Sequence, residues 1–196
     1  MMKVTAFNGS PRKDGNTSRL IDIGLEGLSG AGLETSKYQL GGKDVRGCRA
    51  CYMCVENRDG RCVMNEDCVN ECIGLMADSD GIVIGSPTYF SNVTAEVKAL
   101  IDRAGLVAKV NGDMLARKAG AAVVAVRRAG SIHVFNSINH FFLINQMIVP
   151  GSIYWNMAIG RNPGDVDTDD EGINTMKVLG NNMAYLLGRL KPDAGR

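Results

Sequence analysis

The fold of this chain is decided by the stretch Asn8-Gly9-Ser10-Pro11-Arg12-Lys13-Asp14-Gly15-Asn16-Thr17-Ser18. Apolar alternation over residues 3–8 predicts a strand before it, and apolar residues at roughly helical spacing over 17–28 predict a helix after it. The turn between them brings backbone N–H groups and hydroxyls to the helix N-terminus, where the helix dipole favours negative charge. We therefore predict a phosphate site in this turn.

The spacing of the turn disfavours two common phosphate loops. The Walker pattern is Gly-x4-Gly-Lys-Ser/Thr, whereas here five residues separate Gly9 from Gly15 and Asn16 stands in place of the lysine. The Gly-x-Gly-x-x-Gly pattern of a dinucleotide site does not occur in the turn either. The alternative interpretation is a tight turn in which Ser10 or Asn16 caps the helix, but a run of ten turn-forming and hydroxyl residues exceeds what one cap requires.

The rest of the chain predicts an α/β fold in a single domain over residues 1–196. Further strands are predicted over 33–40, 81–85, 119–126 and 148–156, with helices over 67–77, 93–107, 134–146 and 172–190. Continuous apolar strands suit a parallel sheet that is covered on both faces. The alternation of strands and helices therefore predicts an open, doubly wound, five-stranded parallel sheet with helices on both faces.

Composition limits the classes of partner. The formal net charge is +1, which provides no general field to attract nucleic acid, and no stretch approaches the roughly 18 apolar residues of a membrane span. The first eight residues lack the apolar region and cleavage site of a secretory signal, so we expect a cytoplasmic protein with neither nucleic-acid nor membrane partners. In that reducing compartment, six cysteines are not expected to form disulfides.

Four of these cysteines form the pattern Cys48-x2-Cys51-x2-Cys54-x7-Cys62, inside a cysteine-rich insertion over about 41–72 that follows the second predicted strand. Thiolates at such intervals can wrap one metal centre, and an iron-sulfur cluster is the favoured occupant. Three alternatives stay open: structural zinc on the same four thiolates, a redox dithiol that uses one Cys-x2-Cys pair, and an inert loop. Cys68 and Cys72 lie on the helix that follows and are interpreted as small buried residues.

Two motifs carry a family resemblance. Residues 8–18 resemble the FMN phosphate loop of the NADPH-dependent FMN reductase family, and Gly85-Ser86-Pro87-Thr88-Tyr89-Phe90-Ser91 is similar to the segment of that family that meets the flavin ring. The resemblance implies a flavodoxin-like fold with strand order 2-1-3-4-5 and FMN at the point where that order reverses. The cysteine pattern resembles the iron-sulfur flavoprotein branch, whose members carry FMN and a [4Fe-4S] cluster and work as dimers.

The resemblance implies two sets of site residues. For FMN they are, in the phosphate loop, Ser10, Arg12, Asn16, Thr17 and Ser18, and, after the third strand, Ser86, Pro87, Thr88, Tyr89, Phe90 and Ser91. Arg127, after the fourth strand, is added because its positive charge would favour the anionic reduced flavin. For the cluster they are Cys48, Cys51, Cys54 and Cys62. Simpler interpretations exist for some of them, since a tyrosine after a strand can merely pack and an arginine in a loop is often only solvated.

The expected activity is FMN-dependent oxidoreduction. Electrons would pass between a reduced donor, NAD(P)H or a ferredoxin-like protein, and an acceptor, with the [4Fe-4S] cluster as relay, in a homodimer or higher homo-oligomer. No residue set demands separate acid-base chemistry, so we name no catalytic residues. The alternative is a non-enzymatic flavin carrier or redox sensor whose cysteine loop holds zinc or free thiols. We expect the acidic run over 165–171 to be a solvated loop.

Overall fold

The structure of the protein, a computed structural model that describes residues 1–190, is built on one parallel sheet in the order β2-β1-β3-β4-β5. The strands are β1 (Lys3–Asn8), β2 (Glu34–Gln39), β3 (Gly81–Pro87), β4 (Ala119–Val126) and β5 (Met157–Ile159). The helices are α1 (Asn16–Gly30), α2 (Met53–Asn57), α3 (Val69–Asp78), α4 (Ala95–Val110), α5 (Ser131–Ile144) and α6 (Asp170–Leu190). The predicted strand order and the helices that connect the strands are confirmed.

Two apolar cores lie on the two faces of the sheet. One face packs against α1 and α6 through side chains such as Leu20, Ile21 and Met176. The other packs against α3, α4 and α5 through side chains such as Leu100 and Phe142. All eight residues of β4 are buried, as expected for a central parallel strand covered on both sides.

The position predicted for the fifth strand is wrong. The prediction placed it over 148–156, but Ile148 makes only an isolated bridge with Ala119, and the chain then leaves the sheet until β5 begins at Met157. Pro150 supplies no N–H for a strand ladder, and the Ser152 hydroxyl donates to the carbonyl of Tyr154 at 2.6 Å to form a local turn. The apolar side chains that suggested a strand are exposed instead, among them Ile153, Tyr154 and Trp155.

Residues 40–68 connect β2 to α3 and contain the cysteine pattern. The structure describes all of this segment, and its only helix or strand is the short α2. The segment packs against α4 rather than extending the sheet. The side chain of Arg103, which is fully buried on α4, forms an ion pair with Asp67 at the end of the segment.

None of the helices within residues 1–190 is both long enough and apolar enough to cross a bilayer. The expected cytoplasmic location stays a prediction.

Candidate functional site

A crevice of about 200 Å³ opens at the carboxyl ends of the strands, where the strand order reverses between β1 and β3. Parallel α/β sheets bind their ligands at this position. The loops that follow β1, β3, β4 and β5 all contribute to its wall, which is lined by Ser10, Arg12, Asn16, Thr17, Pro87, Thr88, Tyr89, Ala125, Arg127, Gly160 and Arg161.

The loop after β1 is held in place by backbone contacts. The N–H of Gly9 donates to the carbonyl of Gly85 at 2.8 Å, and the Thr94 hydroxyl donates to the carbonyl of Gly9 at 2.9 Å. On the other side, Gly41 lies so close that a Cβ added there would be 2.3 Å from the carbonyl carbon of Ser10. Contacts within the protein therefore hold the loop between the ends of β2 and β3.

The N-terminus of α1 offers unused donors to the crevice. Gly15 occupies the capping position and has no side chain to cap the helix. Within residues 1–190, no acceptor is present for the backbone N–H groups of Asn16, Thr17 and Ser18. Ser10 and Thr17 are buried beside them. Such a helix terminus, with free donors and positive dipole, is suited to a phosphate.

Asn16 has a second role that the sequence did not reveal. Its side-chain amide donates to the carbonyl of Asn162 at 2.9 Å and accepts from the N–H of Gly164 at 3.0 Å. The guanidinium of Arg12 donates to the carbonyl of Arg161 at 3.2 Å. These contacts hold the loop after β5 against the phosphate loop. They bring Arg161, which no sequence motif indicated, into the crevice wall.

The segment after β3 forms a tight two-residue hairpin turn. Tyr89 and Asn92 exchange two backbone hydrogen bonds of 2.9 and 3.0 Å around Phe90 and Ser91, whose φ angles of 47° and 60° are both positive. This arrangement exposes Phe90 completely and leaves Tyr89 45% exposed at the mouth of the crevice. The Thr88 hydroxyl oxygen lies buried beneath them, without a hydrogen-bond partner among the residues described.

Four of the residues predicted to bind FMN do not line the crevice. The Ser86 hydroxyl is buried, donates to the carbonyl of Pro87 at 2.8 Å and accepts from the N–H of Thr94 at 3.1 Å. The Ser18 hydroxyl accepts a 2.7 Å hydrogen bond from the ammonium of Lys37. Phe90 and Ser91 form the adjacent exposed turn described above. Direct contact stays a prediction for each of the four.

The crevice is rich in positive charge. Arg12, Arg127 and Arg161 are exposed, and within residues 1–190 none of them forms a salt bridge with a carboxylate. A guanidinium has five donors and no acceptor, so three of them favour an anionic ligand in one crevice.

The acidic run over residues 165–171, beside the crevice, is more than a solvated loop. Two of its carboxylates accept hydrogen bonds from backbone N–H groups. The Asp165 carboxylate accepts from the N–H groups of Arg161 and Asn162 at 3.0 and 2.7 Å, and these hydrogen bonds lower the pKa of Asp165. Asp169 accepts from the N–H of Gly172 at the start of α6. The loop that carries Arg161 is therefore ordered by its own carboxylates.

The four cysteines of the pattern line a second, smaller cavity. Cys48, Cys51, Cys54 and Cys62 share it with Arg103 of α4, and its volume is about 20 Å³. Burial raises the pKa of Cys54, and the nearby sulfurs of the other three raise it further. Cys48 and Cys51 are exposed. Within residues 1–190, no group of three or more His, Cys, Asp or Glu side chains is arranged to hold a single metal ion.

Comparison with known proteins identifies the family. A family model described as NADPH-dependent FMN reductase matches residues 2–162. The chain belongs to the NADPH-dependent FMN reductase family. An iron-sulfur flavoprotein of Methanocaldococcus jannaschii is 37% identical over 197 aligned residues, covering 97% of this chain and all of the relative. An iron-sulfur flavoprotein of Methanosarcina thermophila is 35% identical, covering 85% of this chain and 86% of the relative.

These relatives place this FMN reductase family member in the iron-sulfur flavoprotein branch. The flavodoxin-like fold is confirmed by the crystal structure of a WrbA-like flavodoxin from Agrobacterium tumefaciens, which matches with a TM-score of 0.69 at 12% identity, covering 96% of this chain and 99% of that one. The protein is therefore an FMN-dependent oxidoreductase with a flavodoxin-like fold.

The two candidate sites of this family member lie apart along α4. The hydroxyl of Thr94, the N-cap of α4, contacts the phosphate loop, whereas the cysteine cavity contacts Arg103, Leu106 and Val107. A helix rises about 1.5 Å per residue, so the backbone of Arg103 lies roughly 13 Å along α4 from that of Thr94. Of the cysteine segment, the first residues, at Gly41, lie against the phosphate loop.

Proposed function

We propose that the crevice holds FMN, with the phosphate at the N-terminus of α1 and the flavin ring beside Thr88 and Tyr89. One observation carries this proposal: polar groups that lack a hydrogen-bond partner or a counter-ion among residues 1–190 converge from separate loops on a single crevice. They are the free N–H groups at the start of α1, the buried Thr88 hydroxyl and three arginines. A buried polar group without a partner costs about 1–3 kcal/mol, so a bound ligand that supplies the partner is favoured.

Each part of the crevice would have its own task. The N–H groups of 16–18 and the hydroxyls of Ser10 and Thr17 would bind the phosphate, while Arg12 and Arg161 would balance its charge. Tyr89 would cover the ring and limit its contact with water. Arg127 would place positive charge near the ring, which favours the anionic reduced flavin by Coulomb attraction. Ser18, Ser86, Phe90 and Ser91 would support these groups, because their own contacts shape the two loops.

FMN, when bound, can take up a hydride and pass electrons on, which allows a two-electron donor to serve a one-electron acceptor. We propose NAD(P)H or a ferredoxin-like protein as the donor. The half-exposed Tyr89 leaves access for such a partner.

We further propose that Cys48, Cys51, Cys54 and Cys62 bind a [4Fe-4S] cluster that relays electrons one at a time. The shared cavity and the names of the relatives support this. The N–H of Ala50 donates to the Cys48 sulfur at 3.4 Å, and such donors stabilise bound sulfur.

The cavity, at about 20 Å³, has room for little more than a water molecule. Cluster binding would therefore have to spread the loop that carries the exposed Cys48 and Cys51.

Assembly into a homodimer or higher homo-oligomer is also proposed. Large apolar side chains are exposed at the end of α5 and in the loop that follows, including Leu143, Ile144 and Trp155. Contact between copies would remove them from water.

The cofactors are tested by anaerobic purification, with flavin, iron, sulfide and zinc quantified per chain. We expect one FMN, and iron with sulfide in equal amounts. A yellow protein without iron would overturn the cluster proposal, and zinc in place of iron would favour the structural alternative. Rapid reduction of the bound flavin by NAD(P)H would identify a nicotinamide donor. Reduction only by a reduced ferredoxin-like protein would identify a protein donor.

The placement of the flavin is tested by Thr88→Val, which removes the unpaired hydroxyl and keeps the shape of the side chain. We expect FMN to bind roughly three- to tenfold more weakly, the effect of one hydrogen bond, while the apoprotein melts at the same or a higher temperature. Thr35→Val, the same change on β2 away from the crevice, is the control. If Thr88→Val binds FMN as tightly as the wild type does, the flavin ring does not contact the Thr88 hydroxyl.

A further inference from the structure

Arg103 is a charged side chain in a position where charge is rarely tolerated. It lies on α4 and its side chain is fully buried. Its guanidinium donates to four acceptors: the Cys62 sulfur at 3.3 Å, the carbonyl of Arg46 at 3.0 Å, the carbonyl of Met64 at 2.8 Å and the Asp67 carboxylate. A buried cation is stable only with such a full set of partners.

All four partners belong to the segment between β2 and α3. That segment has no strand and one short helix, so neighbouring strands do not hold it in place. Arg46 precedes the cysteines, whereas Met64 and Asp67 follow them, so one side chain holds both ends of the segment. The planar guanidinium can do this because its five N–H donors point in fixed directions.

We infer that Arg103 is the positioning residue of the cysteine site: it fixes the Cys62 sulfur and raises the reduction potential of the bound cluster. This inference rests on the proposed [4Fe-4S] cluster. An N–H donor and a positive charge at a ligand sulfur stabilise the reduced cluster more than the oxidised one, because reduction adds negative charge. The other arginines that flank the cysteines in sequence are exposed and have water as an alternative partner.

Two variants distinguish the effect of the hydrogen-bond donors of the Arg103 guanidinium from the effect of its positive charge. Arg103→Lys keeps a cation for Asp67 but cannot reach Cys62, Arg46 and Met64 together. Arg103→Met combined with Asp67→Asn removes both buried charges, so that no unpaired ion is left in the core. Arg61→Met is the matched control, because Arg61 is exposed and immediately precedes Cys62.

Each protein is reconstituted anaerobically with iron and sulfide. Iron and FMN are then counted per chain, and the cluster midpoint potential is measured by titration with spectroscopic detection. In the double variant we expect the redox equilibrium of the cluster to shift at least tenfold toward the oxidised form. For one electron this lowers the midpoint potential by at least about 59 mV. Arg103→Lys should shift it less in the same direction and should lose iron faster to a chelator. In the Arg61→Met control, the redox equilibrium constant of the cluster should stay within twofold of the wild-type value.

The outcomes are distinguishable. If the wild-type protein takes up no cluster, the proposed relay fails and this inference fails with it. If the wild type binds a cluster and both Arg103 variants keep its midpoint potential within about 18 mV, a twofold change in the one-electron equilibrium constant, the inference alone is overturned. Loss of FMN as well as iron in Arg103→Lys would assign Arg103 to the fold as a whole and would also overturn it.

Discussion

Gly41 shows how one residue ties the cysteine segment to the phosphate loop. A Cβ at this position would lie 2.3 and 2.4 Å from the carbonyl carbon and oxygen of Ser10, and 2.5 Å from the carbonyl oxygen of Gly9. These are backbone atoms of a loop that is held on its other side by Gly85 and Thr94, so they have little freedom to move away.

We predict that Gly41→Ala weakens FMN binding at least tenfold and destabilises the fold by about 1–3 kcal/mol, the usual cost of overpacking. Flavin fluorescence titration and thermal melting measure the two effects. Gly151→Ala is the control, because a Cβ there meets no atom within 4 Å. Equal FMN affinity in the two variants would show that the phosphate loop can shift at no cost to binding.

Asp67 is the partner that makes the buried Arg103 tolerable. Burial by itself would raise the pKa of Asp67, but the Arg103 guanidinium and the N–H groups of Arg46 and Val69 bring that pKa below its ordinary value. A carboxyl whose pKa is lowered on folding stabilises the folded state above its unfolded pKa of about 3.9, and this stabilisation is lost as pH falls through the folded pKa.

We predict that Asp67→Asn lowers the free energy of unfolding by about 3–5 kcal/mol near neutral pH, because it leaves Arg103 buried without its counter-ion. The difference from the wild type should stay constant down to about pH 5 and shrink below about pH 4, because Asp67 of the unfolded wild-type chain then takes up a proton more readily than Asp67 of the folded protein. Urea unfolding across pH 3–7 measures it. A difference that does not change with pH would mean that the ion pair contributes nothing to acid sensitivity.

At the scale of elements, the start of α1 and the loop after β5 act as one unit. The Asn16 side chain holds that loop through Asn162 and Gly164, and Asp165 orders the loop from within. Arg161 reaches the crevice because of these contacts.

We predict that Asn16→Ala frees this loop. Amide hydrogen exchange over residues 160–168 should accelerate at least tenfold, and FMN affinity should fall several-fold because Arg161 is no longer held in place. Asn182→Ala is the control, since the Asn182 amide makes a similar 2.8 Å hydrogen bond to the carbonyl of Gly151, away from the crevice. Unchanged exchange over 160–168 would contradict the role given to Asn16.

At the scale of the whole molecule, the two candidate sites are built on different elements, although the cysteine segment touches the phosphate loop at Gly41. The crevice is built on the ends of the sheet, whereas the cysteine cavity is built on a segment that packs against α4. Arg103 and Asp67 hold that segment through contacts that involve no metal.

We predict that removing iron with a chelator under oxidising conditions leaves the flavin fold intact. Circular dichroism should be unchanged and FMN should remain bound, while the iron-sulfur absorbance disappears. Loss of FMN together with iron would show that the two sites are coupled more closely than their placement on different elements suggests.

The sequence by itself determined that the chain forms a parallel sheet, because apolar strands and turn residues are local signals, whereas the strand order and the expected position of the crevice came from the family resemblance. It misplaced β5, because apolar residues such as Tyr154 and Trp155 can serve an exposed loop as well as a strand. Only the tertiary structure decided which side chains meet. Arg103 reaches Cys62 across 41 positions and Asn16 reaches Asn162 across 146, and no local pattern encodes contacts that depend on packing distant segments together.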